Sequence, residues 1–566
     1  MAFIIPIKLS DFIPRIFEVF PRKLGGNGYS AASFGKDCIA GLTVGIVALP
    51  LSMAFSIAAG GTPAQGLYTA MAAGFFISLL GGSKYQIGGP TGAFVVILFG
   101  VIARHGMAGL ILAGLMAGLM LIIMGFAGLG RFIKFIPYPV TAGFTTGIGL
   151  LIFSQQIKDF FGFTIAGGSP EFAKMWGGYI GAFSTIQPVT LAVALGTLAV
   201  ILLVRKLVPR IPGAVAGVIA ATVICSIFKL PVETIGDRFG GIPQKLPALA
   251  IPAFSWRMAQ DLFRDSFTIA LLAAIESLLS AVVADSMTGD RHKANMELVA
   301  QGVGNMASAL FGGIPATGAI ARTAVNIKSG AVSPVAGIVH ALTLVLFVLF
   351  LAPLASAIPL ASLSAVLVMV AWDMSSLRRF INIIIKAPKS DAFVLLITFA
   401  LTVMVDLATA VEVGVVLAAF LFLRRMVEVA DIRPGARTLG AEIIYGSDKK
   451  DPSPAPEHTK NIEIYEITGP FFFGVADTLQ RTLRSVAKSP RALVLRMRDV
   501  PAVDSTGINA LESFLDQCHR GKTALVLSEV RDQPRRALEK AGFITELGAG
   551  NVCGTLEAAL KRAEEF

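Results

Sequence analysis

Charged residues are scarce in this sequence: only 15% of its 566 residues are Asp, Glu, Lys or Arg. A soluble domain carries about a quarter, so the composition argues against one soluble globular protein. Hydrophobic residues make up 54%, and the mean hydropathy is +0.73. Many separate apolar stretches reach the roughly 20 residues needed to cross a bilayer. We therefore predict a polytopic α-helical membrane protein.

The sequence also lacks the motifs of several enzyme classes. It contains no phosphate-binding loop, paired-cysteine motif or serine-hydrolase elbow. Its first thirty residues do not resemble a cleavable signal peptide, and its four cysteines show neither metal-ligand nor disulfide spacing. We expect no enzymatic activity, no cofactor and no metal. Without an ATP site, transport would have to run on an ion or substrate gradient.

The basic excess lies in one part of the chain. The net charge is +11, yet residues 461–566 hold 14 basic and 14 acidic residues, so residues 1–460 carry all of it. There it clusters in short loops, which follows the positive-inside rule and argues against nucleic-acid binding. We expect the basic loops and both termini to be cytoplasmic. The loops carry Arg22/Lys23, Lys84, Arg131/Lys134, Arg205/Lys206/Arg210, Arg291/Lys293, Arg378/Arg379/Lys386/Lys389 and Arg424/Arg425.

About fourteen apolar segments meet the length criterion for membrane helices. An even number returns the C-terminus to the side of the N-terminus, in agreement with the charge pattern. The segments span residues 37–58, 64–81, 89–103, 107–127, 136–155, 186–204, 211–228, 266–287, 296–311, 318–330, 333–355, 357–372, 390–405 and 408–423.

Two short segments begin with helix breakers and echo each other. One begins after Gly88-Gly89-Pro90, within LLGGSKYQIGGPTGAF (Leu79–Phe94), and the other after Pro315-Ala316-Thr317, within LFGGIPATGAI (Leu310–Ile320). Each is the third of seven segments, and an odd number of spans per repeat forces the two halves into opposite orientation. Interrupted segments at matching positions indicate a transporter site. The alternative is chance recurrence of small residues that aid helix packing.

The breakers predict an anion site. Irregular backbone survives in a membrane only where it lines a cavity or is buried in protein. A helix that begins there points its free N–H groups and its positive dipole end into that cavity. Glycines allow a ligand to approach the backbone, and the threonines can donate hydrogen bonds or cap the helices. The candidate residues are Pro90, Thr91, Gly92, Ala93, Thr317, Gly318 and Ala319.

Two ionisable residues inside the spans are the strongest further candidates. Arg322, about one turn into the tenth segment, would add positive charge beside the site; the alternative is snorkelling to the interface. Glu276 lies near the centre of the eighth segment. Burial disfavours a charged carboxylate, so Glu276 is a candidate proton carrier. The alternatives are a sodium ligand and a structural partner for Arg322.

The chain changes character after residue 430. We expect a cytoplasmic N-terminal segment at 1–36, a transmembrane domain at 37–430 (repeats at about 37–228 and 266–425) and a linker at 431–460. Residues 461–566 alternate strand-like and helical patterns, which predicts a small α/β domain.

Several motifs together resemble the SulP anion-permease family, the prokaryotic relatives of the SLC26 transporters. They are AGLTVGIVALPLSMAF, GLYTA, GGSKYQIGGPTGAF, AIESLLSA, ELVAQGVGN, GAIARTAVN and, in a domain resembling STAS domains, VPAVDSTG. The resemblance implies a 7+7 inverted repeat with core and gate domains, as in the UraA-like fold. It also implies an elevator-like movement, a homodimer and a bacterial cytoplasmic (inner) membrane location.

The same resemblance assigns roles to single residues. Phe55, Thr91 and Arg322 match positions that line the family's anion site, and Glu276 matches an acidic position tied to coupling. Ala321 stands where several members have Ser, and Leu51 where animal members have Gln, so the substrate stays open. The wording of the motifs is most similar to C4-dicarboxylate/proton symporters. Sulfate and bicarbonate members share the framework, with sodium as the alternative coupling ion.

The C-terminal motif offers a regulatory hypothesis. Thr506, with Ser505 beside it, resembles the phosphorylated loop of anti-sigma-factor antagonists, where a phosphate would meet a helix dipole. The alternative is that Asp504 or Ser505 caps the following helix. The domain is expected to serve folding, dimer contacts or a cytoplasmic protein partner.

Three other functions compete with a coupled anion carrier. A nucleobase permease shares the 7+7 architecture, but Arg322 and the C-terminal domain argue against it. A signalling scaffold would not need paired breakers or a mid-span Glu276. An uncoupled anion channel would carry current without saturable exchange.

Overall fold

A computed structural model describes residues 9–19, 29–131, 137–165, 171–208, 211–249, 255–429, 431–434, 462–472 and 490–566. The chain divides into two compact units, Met1–Ala418 and Ala419–Phe566.

Helices dominate the first unit, as its apolar segments predict. Seven helical stretches among the described residues are long and apolar enough to cross a bilayer, and shorter apolar helices accompany them. The first half contains α1 (Ile16–Val19), α2 (Ala31–Ala58), α3 (Pro63–Leu80), strand β1 (Gly88–Gly89), α4 (Gly92–Phe126), α5 (Tyr138–Phe161), α6 (Phe172–Gly181), α7 (Pro188–Leu207) and α8 (Gly213–Phe228).

The second half repeats the same pattern, including a two-residue strand before a helix. It contains α9 (Ile235–Phe239), α10 (Trp256–Asp261), α11 (Phe263–Thr288), α12 (Ala294–Leu310), β2 (Thr317–Gly318), α13 (Ile320–Lys328), α14 (Val335–Phe350), α15 (Ala352–Ser356), α16 (Leu360–Ser375), α17 (Leu377–Lys386), α18 (Lys389–Met404) and α19 (Leu407–Val429).

Local sequence explains where several helices begin and end. Thr62 and Gln65 form a capping box at the start of α3, and Gly289 ends α11 in the left-handed conformation. The segments predicted at 89–103 and 107–127 correspond to the two parts of α4, which are separated at Gly106, where the backbone is not helical. Arg378 and Arg379, predicted in a loop, lie in the amphipathic helix α17.

The membrane helices pack in two groups. In one, α12 packs on α3 and α4, α14 packs on α2 and α3, and α11 packs on α4 and α13. In the other, α16 and α18 pack on α5, and α7 packs on α8 and α16. Contacts of α4 with α5 and of α2 with α16 join the groups. This division corresponds to the core and gate domains that the sequence implies.

The segment at residues 9–19 is anchored to the first group. The Arg15 N–H donates to the Gly81 carbonyl oxygen over 3.0 Å, and Lys293 Nζ lies 2.6 Å from a Glu18 carboxylate oxygen. Ile16 is buried. The leading segment therefore binds the connections that precede β1 and α12.

The second unit is built on a five-stranded sheet in the order β3-β4-β5-β6-β7, antiparallel at β3–β4 and parallel elsewhere. Strand β3 falls inside the predicted linker. The rest of that linker and residues 473–489 of the predicted α/β domain lie outside the described residues. Helices cover both faces of the sheet. The elements are β3 (Asp431–Pro434), β4 (Ile462–Thr468), β5 (Ala492–Asp499), α20 (Ser505–Arg520), β6 (Ala524–Ser528), α21 (Asp532–Lys540), α22 (Phe543–Leu547), β7 (Val552–Cys553) and α23 (Leu556–Glu564).

Candidate functional site

The two predicted breaks interrupt the helices where the sequence places them. Residues 81–91 separate α3 from α4, and residues 311–319 separate α12 from α13. Each interruption contains a two-residue strand, and a helix begins within three residues of its end. The first N–H groups of α4 and α13 have no intrahelical partners.

The two strands pair with each other. Strands β1 and β2 are antiparallel, with Gly88 opposite Gly318 and Gly89 opposite Thr317. The Ala319 N–H donates to the Ile87 carbonyl oxygen over 2.8 Å, and the Ile87 N–H donates to Thr323 Oγ1 over 3.1 Å. The antiparallel pairing is what two halves of opposite orientation require. It brings the starts of α4 and α13 together.

Arg322 adds a buried charge to this junction. Its side chain is packed inside the protein, with 2% of the residue exposed. Its Nη2 donates to the Pro90 carbonyl oxygen, while Nη1 is buried without a hydrogen-bond partner among the described residues. A Cβ atom on Gly89 would lie 2.6 Å from Nη1, and φ at Gly89 is 148°, so the position favours glycine. The junction holds a positive group with an unused donor.

Phe55 lies against the start of α4. A Cβ atom placed on Gly92 would lie 3.2 Å from Phe55 Cε1, 3.1 Å from Ile152 Cδ1 and 2.8 Å from Met374 Sδ. Phe55 belongs to α2 in the first group, whereas Ile152 and Met374 belong to α5 and α16 in the second. The N-terminus of α4 therefore lies where the two groups meet.

The threonines and alanines of the predicted site differ in their surroundings. Thr91 is the N-cap of α4, but its hydroxyl makes no capping bond and is buried without a partner among the described residues. Thr317 donates its hydroxyl proton to the Ala273 carbonyl oxygen of α11 over 3.1 Å and caps no helix. Ala93 and Ala319 are buried, and Ala321 is exposed.

Glu276 lies on the part of α11 that packs against β2. Ala273, three residues earlier, accepts the Thr317 bond, and Ser277 Cα would lie 3.1 Å from a Cβ on Gly318. Glu276 is 7% exposed. Within the described part of the chain, none of the ion pairs contains Glu276 or Arg322. The alternative that Glu276 is the ion-pair partner of Arg322 therefore finds no support.

A cleft of about 580 Å³ lies between the two groups of helices. Its lining comes from α4 and α11 on one side and from α5, α6 and α18 on the other. Val96, one turn into α4, and Leu151, next to Ile152, line its inner part. The outer part is charged, with Arg104 and Asp265 joined by a 2.9 Å salt bridge. The cleft leads from a charged opening toward the start of α4.

Several buried polar residues around the junction were not singled out from sequence. Gln86 contacts Gly318 so closely that a Cβ there would lie 2.0 Å from Nε2. Glu297 and Asn305 belong to a motif quoted above but received no role. His340 on α14 is also buried. The sequence signal that could have identified Glu297 and Asn305 is that they are polar residues at helical spacing within an apolar span.

In the second unit, Asp504 caps α20. Its carboxylate accepts the Gly507 N–H over 2.8 Å, and Ser505 and Thr506 are exposed beside it. The capping interpretation of this loop holds for Asp504. Both hydroxyl-bearing residues are also accessible at a helix N-terminus.

Comparison with known proteins gives two family matches. A model described as the sulfate permease family matches residues 34–398, and a STAS domain model matches residues 453–559. The chain is 42% identical over 523 residues to YvdB of Bacillus subtilis (strain 168), named as a candidate sulfate transporter, covering 92% of this chain and 96% of that protein. It is 33% identical over 557 residues to the bicarbonate transporter BicA of Picosynechococcus sp., covering 93% and 94%.

Solved structures agree. The transmembrane domain of a cyanobacterial bicarbonate transporter, BicA, matches with a TM-score of 0.61 and 32% identity, covering 67% of this chain and 98% of that one. Murine Slc26a9 in an inward-facing state matches with a TM-score of 0.83 over 97% of both chains. At 18% identity the second match shows the fold alone.

Proposed function

The chain belongs to the sulfate permease family, a family of transporters and not of enzymes, and on that premise we propose that it takes up an anion together with protons. The substrate we propose is a dicarboxylate or sulfate. The transporter lies in the bacterial cytoplasmic membrane with both termini inside. The STAS domain, a match at residues 453–559, completes the chain on the cytoplasmic side.

One observation carries the proposal: two helix N-termini meet at the β1–β2 pair, and Arg322 Nη1 is buried beside them with no hydrogen-bond partner in the part of the chain that the structure describes. A buried charge without a partner is costly, and a bound anion would relieve that cost. Free N–H groups and two positive dipole ends add to the attraction. Thr91 contributes a hydroxyl without a partner among the described residues, and Phe55 lies against the start of α4 beside it.

Elevator-like movement of the core against the gate would carry the site across the membrane. The contacts of Gly92 with Ile152 and Met374 lie between the two groups and would have to break during such movement. The cleft beside α4 would then be the access route to the site. We propose that the carrier works as a homodimer, as family members are thought to do.

Glu276 is the proposed proton carrier. It lies on the turn of α11 that contacts β2, so a change in its charge acts directly on one half of the site. A protonated Glu276 would offset the cost of carrying an anion inward against the membrane potential.

A second candidate is bicarbonate uptake coupled to sodium. The similarity to BicA, at 33% identity over almost the whole chain and 32% in the solved transmembrane domain, favours bicarbonate. In this case Glu276 would be the sodium ligand.

Uptake into proteoliposomes separates these candidates. Radiolabelled sulfate, succinate, fumarate, aspartate and bicarbonate are each supplied with and without an inward proton or sodium gradient. We expect saturable uptake of one of the first four anions, stimulated by the proton gradient. Saturable bicarbonate uptake driven only by sodium supports the second candidate, and current without saturation identifies a channel.

Glu276→Gln tests the coupling residue. The variant should still bind the anion but lose accumulation driven by a pH gradient. Glu412→Gln, an exposed carboxylate of α19, is the matched control and should retain it. Unchanged pH dependence in Glu276→Gln would remove the proton role.

The STAS domain is proposed to bind a cytoplasmic protein partner, with Thr506 and then Ser505 as phosphorylation sites. Both lie exposed at the N-terminus of α20, where phosphate would meet the helix dipole. Mass spectrometry of the chain purified from its own host would detect this modification.

A further inference from the structure

Helix α12 carries a line of fully buried polar side chains. Glu297, Gln301 and Asn305 follow each other at four-residue spacing, so they share one face of the helix. None of them is exposed to solvent. Gln301 Nε2 donates to Glu297 Oε1 over 3.0 Å, and Asn305 Nδ2 donates to the Gln301 carbonyl oxygen over 2.8 Å. We call these three residues the α12 ladder.

One end of the ladder holds the approach to β1. Glu297 Oε2 accepts the backbone N–H groups of Gly82 and Ser83 over 2.9 and 3.1 Å. Glu297 Oε1 accepts Gln86 Nε2 over 3.0 Å. With Gln301, four donors and no acceptor converge on this carboxylate, which matches the acceptor-only ionised form. The loop that leads into β1 is therefore held at both its start and its end.

The other end of the ladder holds the approach to β2. Asn305 Oδ1 accepts the Ala316 N–H, and Asn305 Nδ2 donates to the Ala316 carbonyl oxygen, both over 2.8 Å. Ala316 directly precedes Thr317, the first residue of β2. One side-chain amide thus fixes both backbone groups of this residue.

We infer that Glu297 and Asn305 are positioning residues that set the separation and register of the two helix N-termini at the anion site. The two strands belong to different halves of the chain, yet one rigid helix holds the residues that lead into each of them. Gln86 links the two ends, because its amide is held by Glu297 and packs against Gly318. This inference rests on the proposed anion site and names residues that act on it without touching the anion.

The chemistry of single substitutions follows from these contacts. In Glu297→Gln, one oxygen can still accept Gly82 and Ser83, but an NH₂ group would face the NH₂ groups of Gln86 and Gln301. In Asn305→Asp, a carboxylate oxygen would face the carbonyl oxygens of Ala316 and Gln301. Both changes conserve shape and displace an approach strand. Met306→Leu, half-buried on α12 outside the ladder, is the matched control.

The test is the KM of each variant for radiolabelled sulfate, succinate and bicarbonate in proteoliposomes, with the melting temperature measured on the same samples. We expect KM to rise about tenfold in Glu297→Gln and Asn305→Asp, which corresponds to about 1.4 kcal/mol. Met306→Leu should keep the wild-type KM. Gln86→Met removes the hydrogen bond to Glu297 from the loop side and should also raise KM. This variant provides the test if neither ladder variant reaches the membrane.

A purely structural role gives a different result. Fewer folded molecules would lower the maximal rate and leave KM unchanged, because KM does not depend on the amount of active protein. An unchanged KM in the ladder variants and in Gln86→Met therefore overturns the inference while the anion site stands. If the wild-type protein takes up none of the five anions of the uptake assay, the proposed function fails, and the inference falls with it.

Discussion

Replacing Gly89 by alanine tests whether Arg322 forms part of the anion site. Gly89 lies in β1, and φ there is 148°, a backbone conformation that L side chains rarely adopt. A methyl group would lie 2.6 Å from Arg322 Nη1 and 3.3 Å from Nη2. We expect Gly89→Ala to fold but to bind the anion weakly.

The size of the effect follows from these distances. Carbon and nitrogen atoms in contact prefer a separation of about 3.5–4.0 Å, so the guanidinium must move by about 1 Å. A hydrogen bond to a charged group is worth about 1.5–3 kcal/mol, and each 1.4 kcal/mol is tenfold in affinity. The anion affinity should fall about ten- to hundredfold. Backbone strain adds a stability cost of about 1–3 kcal/mol that is independent of the anion.

Gly106→Ala separates these two contributions. Gly106 has φ of 67° at the kink of α4, and a Cβ atom there would have no neighbour within 4 Å. Gly106→Ala introduces backbone strain alone. We therefore expect both variants to have a melting temperature a few degrees below that of the wild type, and only Gly89→Ala to bind the anion more weakly. Binding is measured by isothermal titration of the purified proteins with the anion that the uptake assay identifies. Wild-type affinity in Gly89→Ala would refute the placement of the anion beside Arg322.

Two further predictions concern groups outside the membrane spans. Partial burial alone would raise the pKa of Asp290, but Lys84 Nζ at 2.8 Å and the Arg291 N–H at 2.9 Å hold it below its usual range. The stability that ionised Asp290 contributes is therefore complete above its unfolded pKa of about 3.9. It is lost as the pH falls through the lower pKa of the folded state. Below about pH 4, the melting temperature should consequently drop more in the wild type than in Asp290→Asn. In the second unit, Asp504→Ala should cost about 1 kcal/mol by removing the α20 cap; faster hydrogen exchange at the Gly507 amide would show it, and unchanged exchange would contradict it.

The breaks and their meeting could be predicted from sequence because Gly-Gly-Pro-Thr disfavours a continuous helix and a similar sequence recurs near Thr317. Glycine and proline alone would not have been enough, since α2 continues through Pro50. The antiparallel β1–β2 pair agrees with that reasoning. The seven-segment halves followed from hydropathy, and most helix bounds fall within a few residues of the predicted ones.

What escaped prediction depends on contacts between distant parts of the chain. Met374 and Ile152 reach Gly92 only through the packing of α5 and α16 on the first group. Glu297 is a charged residue in a span and was read only as part of a motif, because its four donors come from residues 82–86 and from Gln301. Helices α6 and α17 were missed since they are too short or too amphipathic for a hydropathy criterion.

Because the N-terminal segment is bound to the first group of helices, truncating it should have a structural effect. Residues 9–19 bind the chain at Gly81 and Lys293. These contacts lie a few residues from the loop that is hydrogen-bonded to Glu297. Removing the first twenty residues for expression would remove these contacts. We therefore expect it to weaken the packing of the loop between Gly81 and Gly88. A tag joined ahead of Leu9 would instead be held against the first group of helices.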